Sequence, residues 1–594
     1  MQPQKRTALG SLCGVMSVAH GIVNLMTTAE RAVFVEPAFA GHDSTVSSVT
    51  AAVLAVIPEW WAHRAAAVGL GGSWLDVRKA VSATPPSPLC VGLPYADTSL
   101  LISGHSLGQA YVESLSPRTR SEHGRHYTPE VLADRLWSMA RAGLRWNSED
   151  HQLHGLVRDP ACGGGALLLA AIREHLRASY STDPSITVSG LANHIQGIDQ
   201  DPWAVYLANV VLAAEVLPTL ARIPENLRRP VPVLAVVGDG LAPLHPAALV
   251  SIMNPPYGRL KLDDATRSRF SETLYGHANL YGLFMAAGAA SLTEDGVLAA
   301  LVPTSFSAGL YFHKLREYLA GQAPLRSMTF VQDRSGVFNG VIQETCLAVF
   351  ARKRSRRVDV ARSNGTITTV ATVPSPRGSR PWLMPRESSD AALAAAASVL
   401  PLTLSACGWH ASTGPLVWNR RKQDLHARSG VGRVRIIWAA DIDGGTIHRD
   451  RTRDDKRYLA ISLPSDSNVM VLGEPAVLVQ RTTSPEQVRR LVAVDLSPSV
   501  LNELGGSVII ENHVNVLRPT LLVPLISRVT LARILATPTF DRLMRCISGS
   551  VAVSSYELAS LPMPAPDVLA SWENLQGDEL GDAVAKAYRT VSTA

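Results

Sequence analysis

Between residues 154 and 303, short apolar runs alternate with longer stretches of helical periodicity. The runs are His154-Gly155-Leu156-Val157-Arg158, His194-Ile195-Gln196-Gly197-Ile198, Val233 to Val237, Leu249-Val250-Ser251-Ile252-Met253 and Gly296 to Pro303. Runs of this length with little polar alternation predict strands buried on both faces, as in a parallel sheet covered by helices. Ala166 to Leu176 and Ala204 to Val216 predict two of the covering helices. The alternation is that of a βαβ series, an α/β fold whose ligand crevice lies at the carboxyl ends of its strands.

Each of the first four strands ends in a residue suited to that crevice. The first runs into Asp159-Pro160-Ala161-Cys162-Gly163-Gly164-Gly165, where glycines let backbone N–H groups approach a ligand without Cβ interference. The Asp at the strand end, and the lack of a Gly-Lys-Ser/Thr ending, favour a cationic or polar cofactor over a phosphate. The second ends in Asp199, a carboxylate able to accept both hydroxyls of a ribose. The third ends in Gly238-Asp239-Gly240 and the fourth in Asn254-Pro255-Pro256-Tyr257-Gly258. Pro255 and Pro256 stop the strand and fix the turn. The Asn254 side-chain oxygen and the Pro255 carbonyl can then converge beside the Tyr257 ring. Two acceptors and an aromatic face suit a planar group carrying an NH2.

Upstream, Thr128 is expected to cap a helix that has Pro129 at its first position and Glu130 in its first turn. The rest of the chain adds less. Hydrophobic content of 46% with 18% charged residues excludes a disordered protein, and 594 residues imply about three or four domains. Six scattered cysteines without a CxxC pair indicate neither zinc nor a disulfide framework, so a reduced cytoplasm is expected. The run Ala8 to Met26, interrupted by His20 and Asn24, predicts a buried helix rather than a leader. Residues 1–118 show no metal-holding nuclease pattern, and a helix is expected near Thr50 to Val68.

Net charge is +6, and between Arg352 and Arg386 nine basic residues face one acidic residue. A polyanion is the expected partner, with Arg352, Lys353 and Arg354 meeting phosphates. The last third alternates apolar strands (Val434 to Trp438, Ala476 to Val479, Ser507 to Ile510, Val514 to Leu517) with polar turns. Arg420, Arg421, Lys422 and Arg481 in those turns are candidates for contacts to bases or phosphates.

Taken in order, Tyr127-Thr128-Pro129, Asp159 to Gly165, Gly197-Ile198-Asp199, Gly238-Asp239 and Asn254-Pro255-Pro256-Tyr257 resemble the gamma class of DNA N6-adenine methyltransferases. Gly164 departs from the Ser or Thr usual there. The resemblance implies a Rossmann-like class I S-adenosylmethionine (SAM) methyltransferase domain over residues 119–380. A helical extension (1–118) would precede it and an α/β target-recognition domain (381–594) would follow, similar to type IIG-like and solitary adenine methyltransferases. It implies that Asp199 holds the ribose of SAM, Asp239 its adenine, Asp159 to Gly165 its methionine part, and Tyr127-Thr128 its amino-acid end. Phe338, in the Arg334 to Asn339 stretch, is expected to pack against a flipped base. Double-stranded DNA is the implied partner, in the bacterial cytoplasm at the nucleoid, with no membrane and no metal. A cytosine N4 DNA methyltransferase, a methylating subunit of a restriction-modification or phage-defence system and an RNA guanine N2 methyltransferase stay open, and Asn-Pro-Pro-Tyr also serves enzymes that methylate a glutamine amide in a protein.

Overall fold

The computed structural model describes residues 48–88, 103–122, 127–146, 151–331, 344–463, 465–483, 487–549 and 552–589. Phe338 and the run Ala8 to Met26 lie outside the described residues.

The apolar runs form a single nine-stranded sheet. Its strands are β1 (Val157–Asp159), β2 (Ile195–Asp199), β3 (Ala235–Val237), β4 (Ala248–Met253), β5 (Leu292–Pro303), β6 (Leu325–Val331), β7 (Thr345–Ala351), β8 (Arg357–Ser363) and β9 (Ile367–Pro374). Their spatial order is β9-β8-β6-β7-β5-β4-β1-β2-β3. Strands β1 to β5 are mutually parallel, whereas β7 runs antiparallel between β5 and β6. This is the mostly parallel α/β sheet that the βαβ pattern predicts. The strand order reverses between β1 and β4, so the Asp159 loop and the Asn254 turn flank the switch point where such sheets hold ligands.

Burial explains why these runs became strands. All six residues of β4 are buried, and so are the last eight of β5. The fifth strand begins at Leu292, earlier than its apolar run, because β4 extends back to pair Ala248 with Leu292.

The helices cover both faces. Ala166–Ala178 starts immediately after Gly165. Pro202–Ala221 is capped by the Asp201 side chain, which accepts the Trp203 N–H, and has proline at its first position. It is long and apolar enough to cross a membrane, yet 78% of its apolar window is buried, as befits a core helix.

The helices of the N-terminal segment, Ser48–Ala55, Ile57–Ala67 and Gly104–Ser114, do not stand apart. Trp60, Trp61, Leu107 and Tyr111 share one hydrophobic core with Leu168, Val211 and Val250 of the sheet layer.

The C-terminal part carries a four-stranded sheet (Trp409–Thr413, Val514–Pro519, Ala476–Gln480, Ala493–Leu496) and a five-stranded one centred on Arg433–Ile437. Two arginines, one buried and one half-buried, join it to the nine-stranded sheet. The Arg316 guanidinium donates to the carbonyls of Phe306, Gly309, Ser379 and Arg380 and to the Tyr556 hydroxyl, at 2.8 to 3.1 Å. Arg386 pairs with Glu344 at 2.6 Å and also donates to the Arg545 carbonyl.

Candidate active site

Strand β4 delivers Asn254 to the switch point, and the two prolines end the ladder there. The Asn254 amide is held at both ends. Its Nδ2 donates to Thr128 Oγ1 at 2.9 Å, and its Oδ1 accepts from the Tyr257 hydroxyl at 3.0 Å. The same hydroxyl is 3.1 Å from the Leu301 carbonyl on β5. Tyr257 is half-buried and meets Tyr281 edge-on, with ring centroids 6.1 Å apart. Burial pushes its phenol well above the usual range, so it stays a neutral donor.

Thr128 therefore does not cap the helix as its sequence context suggests. The helix spans Glu130–Gly143 with Pro129 at the cap position and no side-chain cap. The Thr128 hydroxyl, 5% exposed, goes instead to a partner 126 residues away.

The glycine turn forms the expected cradle. Gly163 and Gly165 have φ of 49° and 86°, the left-handed region that favours glycine. The Gly163 N–H donates to Asp199 Oδ2, and the Asp201 N–H donates to Asp199 Oδ1, each at 2.9 Å. Asp199 thus ties the end of β2 to the loop after β1. Asp239 lies exposed beyond β3, where its Oδ1 accepts the Leu241 N–H at 3.0 Å. Pro160 and Ala161 complete the turn, and the Ala161 N–H donates to Asp159 Oδ1 at 3.0 Å. Cys162 is buried against Gly197, where a Cβ would come within 2.8 Å of its Sγ.

Asp159 is 1% exposed, and desolvation raises its carboxyl to about 8, with the nearby Asp199 charge adding to the shift. A carboxyl held neutral by burial becomes a strong partner once a cation enters, so the loop fits a cationic cofactor. The same shift makes a stability prediction. A raised carboxyl stabilises the fold fully below its unfolded value near 3.8, and that contribution is lost as pH rises towards 8. The melting temperature of Asp159→Asn should therefore rise relative to that of wild type between pH 5 and pH 8. The slope is at most about 1.4 kcal/mol per pH unit. A pH-independent difference in paired melts would contradict the buried carboxyl.

Three residues at this site went unsuspected in the sequence, all on the helix Gly104–Ser114. His105 Nδ1 is 2.7 Å from the Tyr127 hydroxyl, and Tyr111 donates to Asp201 Oδ2 at 2.6 Å. Gly108 faces the Tyr127 ring so closely that an added Cβ would lie 2.8 Å from Cε2. No local motif marks such contacts. Gly108→Val should displace Tyr127, weakening cofactor binding about tenfold and costing about 1–3 kcal/mol of stability. Titration calorimetry and chemical denaturation measure the two effects.

The basic candidates divide. Arg352, Lys353 and Arg354 follow β7, whose antiparallel direction carries them to the opposite edge of the sheet, about 20 Å from the Asn254 turn. There Arg352 donates to the Ala289 carbonyl and Lys353 pairs with Asp295 at 2.9 Å. They do not belong to the catalytic face. Arg421 is likewise structural, paired with Asp424 at 2.6 Å and Asp466 at 2.8 Å. Arg481 is half-buried and donates to the Asn512 carbonyl. Arg420 and Lys422 remain exposed. Lys422 lines a cavity of about 450 Å³ with Trp418, Leu425, Asp455 and Lys456, whose Nζ lies 4.7 Å from the Trp418 ring centroid.

Comparison with known proteins falls on this turn. Residues 250–338 match the family model described as Eco57I restriction-modification methylase. The matched segment carries the Asn254 turn. Beyond the segment, the chain is 26% identical over 341 residues to Type II methyltransferase M.PstI of Providencia stuartii, covering 54% of this chain and 66% of that one. It is 24% identical over 335 residues to Type II methyltransferase M.BsuBI of Bacillus subtilis, with the same coverage of 54% and 66%. The chain thus spans just under two thirds of the length of these curated relatives. Among solved structures it resembles the Type IIL restriction-modification enzyme MmeI in complex with DNA, at 13% identity and a TM-score of 0.46 over 99% of this chain and 95% of that one.

Proposed function

We propose that the protein is a site-specific DNA methyltransferase that transfers a methyl group from SAM to adenine N6 in a short duplex motif. The observation that carries this reading is the Asn254 amide, held by Thr128 and Tyr257 at the switch point beside the glycine cradle. SAM, when bound, supplies an electrophilic methyl group on a sulfonium sulfur. Asp199 would take the ribose, Asp239 the adenine amino group, and the loop from Asp159 to Gly165 the methionine part. Gly163 and Gly165 leave room for it, and the buried Asp159 favours a cation.

The adenine amino group is a poor nucleophile because its lone pair is delocalised into the ring. Hydrogen bonds from that group to Asn254 Oδ1 and the Pro255 carbonyl would favour a more tetrahedral nitrogen and aim it at the methyl group. The nitrogen gains a methyl and releases one proton to water. Catalysis then comes from orientation and electrostatics, with no covalent enzyme intermediate. N6 is out of reach inside a duplex, so the base must leave the stack, with Tyr257 offering its ring and Phe338 assigned to the other side.

Residues 119–380 would form the catalytic unit and residues 381–594 the recognition unit. Of the basic candidates, the exposed Arg420 and Lys422 near Trp418 are those we assign to DNA contact.

Single-molecule sequencing of DNA from cells expressing wild type or Asn254→Ala tests the reading. N6-methyladenine at one motif with wild type only is the expected result. N4-methylcytosine would transfer the mechanism to the cytosine amino group. Unmodified DNA would overturn the DNA reading and direct the search to RNA or protein amides.

A further inference from the structure

We infer that Thr128 is a positioning residue for methyl transfer, holding the Asn254 amide by its Nδ2 end where the target amino group must meet it. This rests on the function proposed above. An asparagine side chain is nearly symmetric in shape but opposite in chemistry at its two ends, one accepting and the other donating. The target NH2 is itself a donor. Only the carbonyl end can receive it, and a flipped amide would set donor against donor.

Two hydroxyls hold the amide. Thr128 Oγ1 accepts from Nδ2 at 2.9 Å, and the Tyr257 hydroxyl donates to Oδ1 at 3.0 Å. An amide oxygen has two acceptor sites, so it can take a hydroxyl and a substrate donor together. The backbone explains why Thr128 can reach. It precedes Pro129, which holds the chain extended ahead of the helix Glu130–Gly143 and leaves the hydroxyl out of the helix cap. At 5% exposure the hydroxyl is shielded from competing water, which strengthens its hold on the amide.

A role in cofactor binding and a role in orienting Asn254 predict different kinetics. If Thr128 only held the cofactor, removing its hydroxyl would weaken SAM affinity and leave kcat intact at saturating SAM. If it orients Asn254, kcat falls while SAM affinity stays.

The test uses the full chain, tritiated SAM and genomic DNA from a methylase-free host, with SAM affinity measured separately by titration calorimetry. Thr128→Val, which keeps the shape and removes the hydroxyl, should lower kcat about 30-fold with the SAM Kd within about threefold of wild type. Thr128→Ser should recover kcat to within about fivefold of wild type. Combining Thr128→Val with Tyr257→Phe should lower kcat by less than the product of the two single effects, because both act through one amide. An unchanged kcat for Thr128→Val, or a SAM Kd raised more than tenfold with kcat intact, overturns the assignment. If Thr128→Val does not melt cooperatively, Thr128→Ser decides alone: activity lost despite a retained hydroxyl overturns it, and activity kept with unchanged KM values supports it. A wild-type protein that binds SAM but methylates no DNA defeats the functional reading itself, and the Thr128 role with it.

Discussion

Asn254→Ala should reduce methyl transfer by about 1,000-fold or more while the SAM Kd stays within about threefold of wild type. The separation follows from where Asn254 is held. Its hydrogen bonds run to Thr128 and Tyr257, whereas the cradle is held by Asp159 and Asp199. Removing the amide deletes the main acceptor for the target amino group and leaves the glycine turn intact. Radiometric transfer assays and calorimetric SAM titrations on the same preparations check both halves. Activity retained within tenfold would remove Asn254 from the mechanism, and loss of SAM binding would move it into the cofactor site.

Asp199→Ala should weaken SAM binding about 100-fold. Two causes add. The carboxylate proposed to accept the ribose hydroxyls is gone, and the Gly163 and Asp201 N–H groups lose the oxygens they now share. Each orphaned donor costs about 1–3 kcal/mol where it stays shielded from water, so the loop after β1 should also loosen. Asp199→Asn should fall between, since one end of its amide presents a donor where a backbone N–H already points. Calorimetry supplies the affinities and hydrogen exchange at Gly163 the loosening. An unchanged SAM affinity in Asp199→Ala would end the ribose assignment.

The sheet and its ligand-facing strand ends were legible because a parallel strand buried on both faces is an apolar run, and its carboxyl end must stop at something polar. Asp159, Asp199, Asp239 and Asn254 could be placed on one edge from that alone. What stayed hidden depended on direction or distance. Basic residues after an apolar strand can emerge at either edge of a sheet, and only the antiparallel course of β7 shows that Arg352 to Arg354 emerge away from the site. Arg421 looked like an exposed cation until Asp424 and Asp466 were found around it. Thr128 looked like a helix cap because the local pattern Thr-Pro-Glu favours one, while its partner is supplied by β4. Gly108 and His105 became part of the site only once the fold had brought the Gly104–Ser114 helix against Tyr127.

The arginine junction bears on where the chain could be divided and rejoined. Arg316 satisfies four carbonyls on the near side of the boundary and reaches across it to Tyr556, while Arg386 binds Glu344 just before β7. A chimaera that grafts a foreign C-terminal half at residue 380 would leave the Arg316 guanidinium without its Tyr556 partner and Glu344 without Arg386. Grafts that import Tyr556 and Arg386 along with the new reading surface should assemble as soluble, active hybrids, and those that omit them should aggregate. The exchangeable unit for engineering is therefore the surface beyond these two anchors, smaller than the domain itself.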